Sequence, residues 1–161
     1  VNMKLAKSIK FDKSDSLVFE RNSNEGDWAI PGGFIFSFLK EENIVGKVKQ
    51  AFSNGFLCLP SFGFSTFVCV ASFSEKDFDE SINTLGNYML LNYNAPSELE
   101  AMRVAKNELI FMSDICKNHE LGSLLSINRK ITNEGIKEEF RKISKPDSCA
   151  EQKIWSLVDD E

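Results

Sequence analysis

The sequence predicts an α+β fold: a mostly antiparallel sheet of about five strands, with two long helices over about 75–93 and 97–118 packed on one face. Three observations predict it. Two serine-led capping signals, at Ser74 and Ser97, each open a long stripe of apolar residues at helical spacing. The N-terminal part holds short apolar runs of period two, separated by turn residues. Ten of the fourteen phenylalanines fall between Phe34 and Phe78, in a stretch punctuated by Gly32, Gly33, Gly55, Pro60 and Gly63.

Each element follows in order. Leu5, Ile9 and Phe11 fit one face of a first strand, and Leu17 to Phe19 a second. Asn22 to Gly26 is a turn by composition. From Trp28 to Phe38, the alternation of Phe34, Phe36 and Phe38 against Ile35 and Ser37 reads as a further strand. Within Glu42 to Phe56, the residues Ile44, Val48, Ala51 and Phe52 make a helical stripe that ends at Asn54 and Gly55. Leu59 to Phe64 is a turn built on Pro60 and Gly63, and Ser65 to Phe73 is the dense apolar run expected for a central strand.

The next boundary carries the most local information. Ser74 and Asp77 make a close variant of the capping box, while Phe73 and Phe78 sit where a hydrophobic staple would place them. The stripe Phe78, Ile82, Leu85 and Met89 follows, ending near Asn92 to Asn94 before Pro96. Ser97 with Glu100 opens a second helix carrying Leu99, Met102, Ala105, Leu109, Met112 and Cys116. Gly122 to Ile131 reads as a strand that sets Leu125, Ile127 and Arg129 opposite Leu124, Ser126 and Asn128. After the Asn133 to Gly135 turn, Ile136, Phe140 and Ile143 suit either a helix or a returning strand. One domain is expected over 1–161, with 144–161 as a docking tail bearing Ile154, Trp155, Leu157 and Val158.

Composition narrows the functional classes. A chain of 161 residues that is 42% hydrophobic can build one core. Its net charge of −5 and the lack of a basic stripe argue against nucleic acid as a partner. The longest apolar stretch, Gly55 to Phe73, is broken by proline, glycine, serine and threonine, which makes a poor membrane span. Val1 to Lys13 carries four lysines and no apolar signal core, so a cytoplasmic location is expected. The four cysteines, Cys58, Cys69, Cys116 and Cys149, form no C-x-x-C pair and read as thiols in a reducing compartment.

Motifs of catalysis are scarce. The run Trp28-Ala29-Ile30-Pro31-Gly32-Gly33-Phe34 resembles the strand that precedes the catalytic helix of Nudix hydrolases. That chemistry needs clustered carboxylates, because magnesium prefers oxygen ligands. The segment that follows offers only Glu41 and Glu42, then Gly46, Lys47 and Lys49, and the Nudix reading is set aside. His119 is the single histidine and falls just past a helix end, where contact with the last carbonyls is the ordinary role. One histidine also removes the common zinc sets. No phosphate-binding loop is present. The acidic pairs Asp77 with Asp79, Glu138 with Glu139, and Asp159 with Asp160 read as solvated faces. No cofactor and no metal are expected.

The run from Ala51 to Val68, AFSNGFLCLPSFGFSTFV, together with the Pro31-Gly32-Gly33 turn, resembles a family of short uncharacterised bacterial proteins. The resemblance extends over nearly the whole chain. It implies a free-standing cytoplasmic protein and carries neither an activity nor ligand residues with it.

Candidate binding residues therefore come from the aromatic segment: Trp28, Pro31, Gly32, Gly33, Pro60, Phe62, Gly63, Phe64 and Ser65, with Trp155 in the tail. The first expectation is a noncatalytic binding or accessory protein, a homodimer acting through an aromatic patch at Phe62 and Phe64. The alternative is a small-ligand carrier or small enzyme with a pocket between the Trp28–Gly33 and Pro60–Ser65 turns, where Ser65 or Thr66 supplies a polar group.

Overall fold

The computed structural model describes residues 3–10, 17–37, 39–144 and 156–157. Phe11, Phe38, Cys149 and Trp155, all named above, lie outside them, as does most of 144–161. The strands are β1 (Met3–Ile9), β2 (Trp28–Ile30), β3 (Phe56–Leu59), β4 (Phe64–Ser65), β5 (Phe67–Phe73), β6 (Leu124–Thr132), β7 (Gly135–Ser144) and the two-residue β8 (Ser156–Leu157). Among the described residues are also the helices α1 (Gly46–Asn54), α2 (Glu75–Asn92) and α3 (Glu98–Cys116), with 3-10 turns at Gly33–Phe36 and Glu41–Asn43.

All strands join one antiparallel sheet in the order β4-β3-β2-β1-β5-β6-β7-β8. Ala6 of β1 stands at its centre, opposite Ala29 on one side and Val70 on the other. The α+β class holds, but the sheet is larger than the expected five strands. One addition is β3, whose four residues are all buried, so no polar-apolar alternation marks it in the sequence. Others are the two-residue strands β4 and β8, and β7, which returns from the Asn133–Glu134 turn with Thr132 opposite Gly135 and settles the open choice at 133–143 as a turn followed by a strand.

Two further expectations are corrected. Leu17 and Val18 are helical rather than a strand, and Phe19 is buried in a small second core with Phe36, Ile44, Ala51 and Phe52. The strand expected through Phe38 ends at Ile30. Gly32 adopts φ 75°, and the chain then coils into the 3-10 turn, with a period near three instead of two.

The helical hairpin matches its sequence signals closely, except that Leu99, expected on the apolar stripe of the second helix, is exposed. Ser74 Oγ accepts the Asp77 amide at 3.0 Å while the Asp77 carboxylate accepts the Ser74 amide at 3.3 Å, a complete capping box. The Phe73 and Phe78 rings meet edge to face at 6.1 Å. Ser97 Oγ caps α3 through the Glu100 amide at 3.1 Å, and the Glu100 carboxylate turns outward to Arg103. Ala101, Ala105, Leu109, Met112 and Cys116 form the buried stripe of α3, which lies across β1 and β2, while α2 reaches β3. Lys4 Nζ pins the far end of α3 by donating to the His119 carbonyl at 2.7 Å, and the His119 amide donates to Cys116 O at 3.0 Å. Among the described residues, no helix is long and apolar enough to cross a membrane.

Candidate functional site

Glycine opens the site. A Cβ on Gly32 would lie 2.4 Å from the Leu57 Cβ, and one on Gly33 2.9 Å from the Glu138 carboxylate, so this turn can press against β3 and β7 only without side chains. The 3-10 turn that follows sends successive rings to different neighbours. Phe34 meets Tyr93 edge to face at 5.7 Å, whereas Phe36 meets Phe52 at 5.3 Å and Phe64 at 5.9 Å.

The second turn, Pro60 to Gly63, is held from outside. The Leu59–Pro60 peptide is cis. Ser61 Oγ donates to the Asp27 carboxylate at 2.6 Å, and a Cβ on Gly63 would meet the Asn22 carbonyl at 2.3 Å. Phe62 sits at φ 57°, a left-handed conformation that costs a side chain about 1–2 kcal/mol. Its amide reaches back to Cys58 O at 2.7 Å, and its ring stacks on Tyr88 with centroids 3.7 Å apart and planes 6° from parallel. Tyr88 in turn lies 5.6 Å from Tyr93. Burial, reinforced by a hydrogen bond with Tyr88, pushes the Tyr93 hydroxyl up to about 12, so it stays a neutral donor.

These rings enclose a cleft of about 340 Å³, lined by Phe36, Phe62, Phe64, Tyr88 and Tyr93, with Ile35, Leu39, Val48 and Ala51 adding apolar wall and Glu20, Arg21 and Lys47 adding charge. A more apolar hollow of about 290 Å³ lies against Phe34, Met89, Tyr93, Pro96 and Val104. Trp28 and Pro60 share a shallow groove of about 130 Å³ with Asp77 and Glu80.

Behind the cleft sits a buried guanidinium. Arg129 is 2% exposed. Its Nε donates to Glu138 at 2.7 Å, and Nη1 donates to the carbonyls of Ala51, Phe52 and Gly55 at 3.2, 2.9 and 2.8 Å. Nη2 takes the Pro31 carbonyl, and the guanidinium lies 5.5 Å from the Phe36 ring. Burial lowers the Arg129 pKa and the Glu138 hydrogen bond opposes that fall. Glu138 is thus no solvated face: its side chain is 19% exposed and closes an ion pair across the β6–β7 hairpin. The position of Arg129 in register with Leu125 and Ile127 was the available signal, because a charge on an apolar strand face must find partners.

The sequence-nominated residues divide accordingly. Phe62 and Phe64 line the cleft, both half-buried. Gly32, Gly33 and the Pro31 carbonyl build its support, and Gly63 is packed on Asn22. Trp28 packs on Phe73 at 4.6 Å with Lys7 Nζ 4.7 Å from its ring, and Pro60 joins it only in the small groove. Ser65 is buried and its hydroxyl donates to Phe67 O at 2.8 Å, so it is spent on the backbone rather than offered to a ligand. Among the described residues, no group of three or more His, Cys, Asp or Glu is placed to hold a metal ion.

Fold and site together define a small α+β domain organised around an aromatic cleft that a buried arginine supports. The chain belongs to a family of unknown function, DUF6505, whose model matches residues 3–157. No curated protein and no solved structure matches the chain significantly.

Proposed function

We propose that the protein is a noncatalytic binding protein that takes a small, flat, largely apolar molecule into the cleft between Phe62, Phe64, Tyr88 and Tyr93. The stacked Phe62–Tyr88 pair carries this reading. A strained backbone holds one ring flat against another at a cleft wall, which is the geometry that accepts a further planar group. The volume, about 340 Å³, falls within the range of small-molecule sites. Arg21 and Lys47 against the single Glu20 favour a ligand with a negative substituent.

The test uses 8-anilinonaphthalene-1-sulfonate, an aromatic sulfonate with a flat naphthalene ring, titrated by fluorescence. Saturable binding at one site is expected, weakened about tenfold or more in Tyr88→Ala and in Phe62→Asn. Asparagine tolerates the left-handed backbone at position 62 while removing the ring. Unchanged affinity in both variants would sink the cleft reading. Light scattering that finds a dimer dissociated by the same two substitutions would instead return the residues to an intersubunit patch.

A further inference from the structure

Tyr93 borders two hollows at once, the aromatic cleft and the apolar hollow of about 290 Å³ beside it. Consecutive residues divide between them. On the 3-10 turn Phe34 borders the hollow while Ile35 and Phe36 border the cleft, and on α2 Met89 borders the hollow while Tyr88 borders the cleft. The Phe34 and Tyr93 rings, in edge-to-face contact at 5.7 Å, stand where the two compartments meet.

The chain places this boundary at a helix end. The Tyr93 amide donates to Met89 O at 2.9 Å, closing α2, and Asn94 then turns left-handed at φ 53°, a conformation that asparagine tolerates. Ala95 and Pro96 follow on the wall of the hollow, together with Ala101 and Val104 of α3. A short link between two capped helices thus supplies a floor beside the cleft.

The two compartments differ in polarity. Glu20, Arg21 and Lys47 stand at the cleft. On the wall of the hollow, the Ser37 hydroxyl donates to Phe34 O at 2.6 Å, and the Glu100 carboxylate accepts from Arg103 Nε at 3.1 Å. These side chains are already engaged within the protein, so desolvating a polar ligand group there would be poorly compensated. An alkyl group carries no such cost, and the apolar wall favours it.

We propose that the cleft and the hollow form one bipartite site for an aromatic acid that carries an alkyl tail. The acid lies toward Arg21 and Lys47 and the ring packs on Phe62 and Tyr88. The tail passes Tyr93 into the hollow against Met89 and Val104. The ring and the charge rest on the cleft reading above, whereas the tail compartment rests on the walls of the hollow.

The experiment titrates para-methyl-, para-propyl- and para-pentylbenzoate, all ionised near neutral pH, into the full chain and follows its amides by nuclear magnetic resonance. All three are expected to shift Phe62 and Tyr88, and the two longer ones to shift Ala101 and Val104 as well. Affinity should rise about fourfold per methylene added. Val104→Phe, which fills the hollow from a half-buried position, should keep the affinity for para-methylbenzoate and lose the gain with length. The uncharged para-pentylbenzyl alcohol should bind about fivefold more weakly than para-pentylbenzoate. Shifts at Phe62 and Tyr88 with no gain along the series would overturn the bipartite site and leave the cleft reading standing. A gain that persists in Val104→Phe would do the same, because it marks nonspecific partitioning of the tail. Shifts confined to Ala101 and Val104 and unaffected by Tyr88→Ala would remove the cleft reading and the bipartite site with it, as would no binding by any member of the series. Equal affinity for the alcohol would strike the acid from the ligand class.

Discussion

The helical hairpin and the segment from Pro31 to Phe64 are held by opposite means. Both ends that matter in the hairpin are closed from within three residues, by Ser74 with Asp77 and by Ser97 with Glu100. In the aromatic segment neither the 3-10 turn nor α1 has a side-chain N-cap, and the carbonyls of Pro31, Ala51, Phe52 and Gly55 accept from Arg129, which lies between 74 and 98 residues further along the chain. The hairpin is therefore stabilised by many small local terms that can each be lost cheaply. The aromatic segment depends on one distant side chain whose loss would orphan several buried groups together.

That contrast orders the expected effects of substitution. Arg129→Met should cost the most, about 3–5 kcal/mol by urea denaturation, because Glu138 and the carbonyls lose their common donor. Amide hydrogen exchange should accelerate across 31–55 well before 75–116, and equal loss of protection in both regions would erase the distinction. Gly63→Ala comes next, at about 1–3 kcal/mol, since the new methyl meets the backbone of Asn22 and Ser23 rather than a movable side chain. Its counterpart in the hairpin, Gly86→Ala, meets the flexible end of Met102 and gains roughly 1 kcal/mol of helix propensity, so thermal melts should show little net change. Ser74→Ala is the smallest loss, about 1 kcal/mol, confined to the start of α2; a wider effect in hydrogen exchange would mean that the hairpin is less modular than its caps imply.

The same contrast explains what was legible in the sequence. The hairpin could be read to within a residue or two because its determinants are neighbours in the chain: a serine, an acid three residues on, and a stripe at helical spacing. The α+β class followed from the same alternation of patterns. The turn after β2 was misread because the two-residue spacing of Phe34 and Phe36 reads as one strand face, whereas the 3-10 turn sends the two rings apart, to Tyr93 and to Phe52. At Ile136, Phe140 and Ile143 the spacing suits a helix, and only the pairing with β6, Phe140 opposite Ile127, decides for a strand. Phe62 and Phe64 were legible as turn residues through the glycine between them, and both line the cleft. Tyr88 and Tyr93, which complete the cleft, looked like ordinary positions on and just beyond α2. Arg129 stood in register with the apolar Leu125 and Ile127, which marks a charge in need of partners, whereas Glu138 looked like a solvated charge, and nothing local names the α1 carbonyls as those partners.

The long reach of Arg129 also bears on the order in which the molecule assembles. Contacts between near neighbours form early, whereas those that close a long loop wait for that entropy to be offset. Helices α2 and α3 can pair as soon as 75–116 is available. The Pro31 carbonyl finds its donor only after a loop of 98 positions has closed and β6 has docked beside β5. The aromatic cleft is then secured only after the hairpin can form, and until that moment its phenylalanines lack the support that packs them.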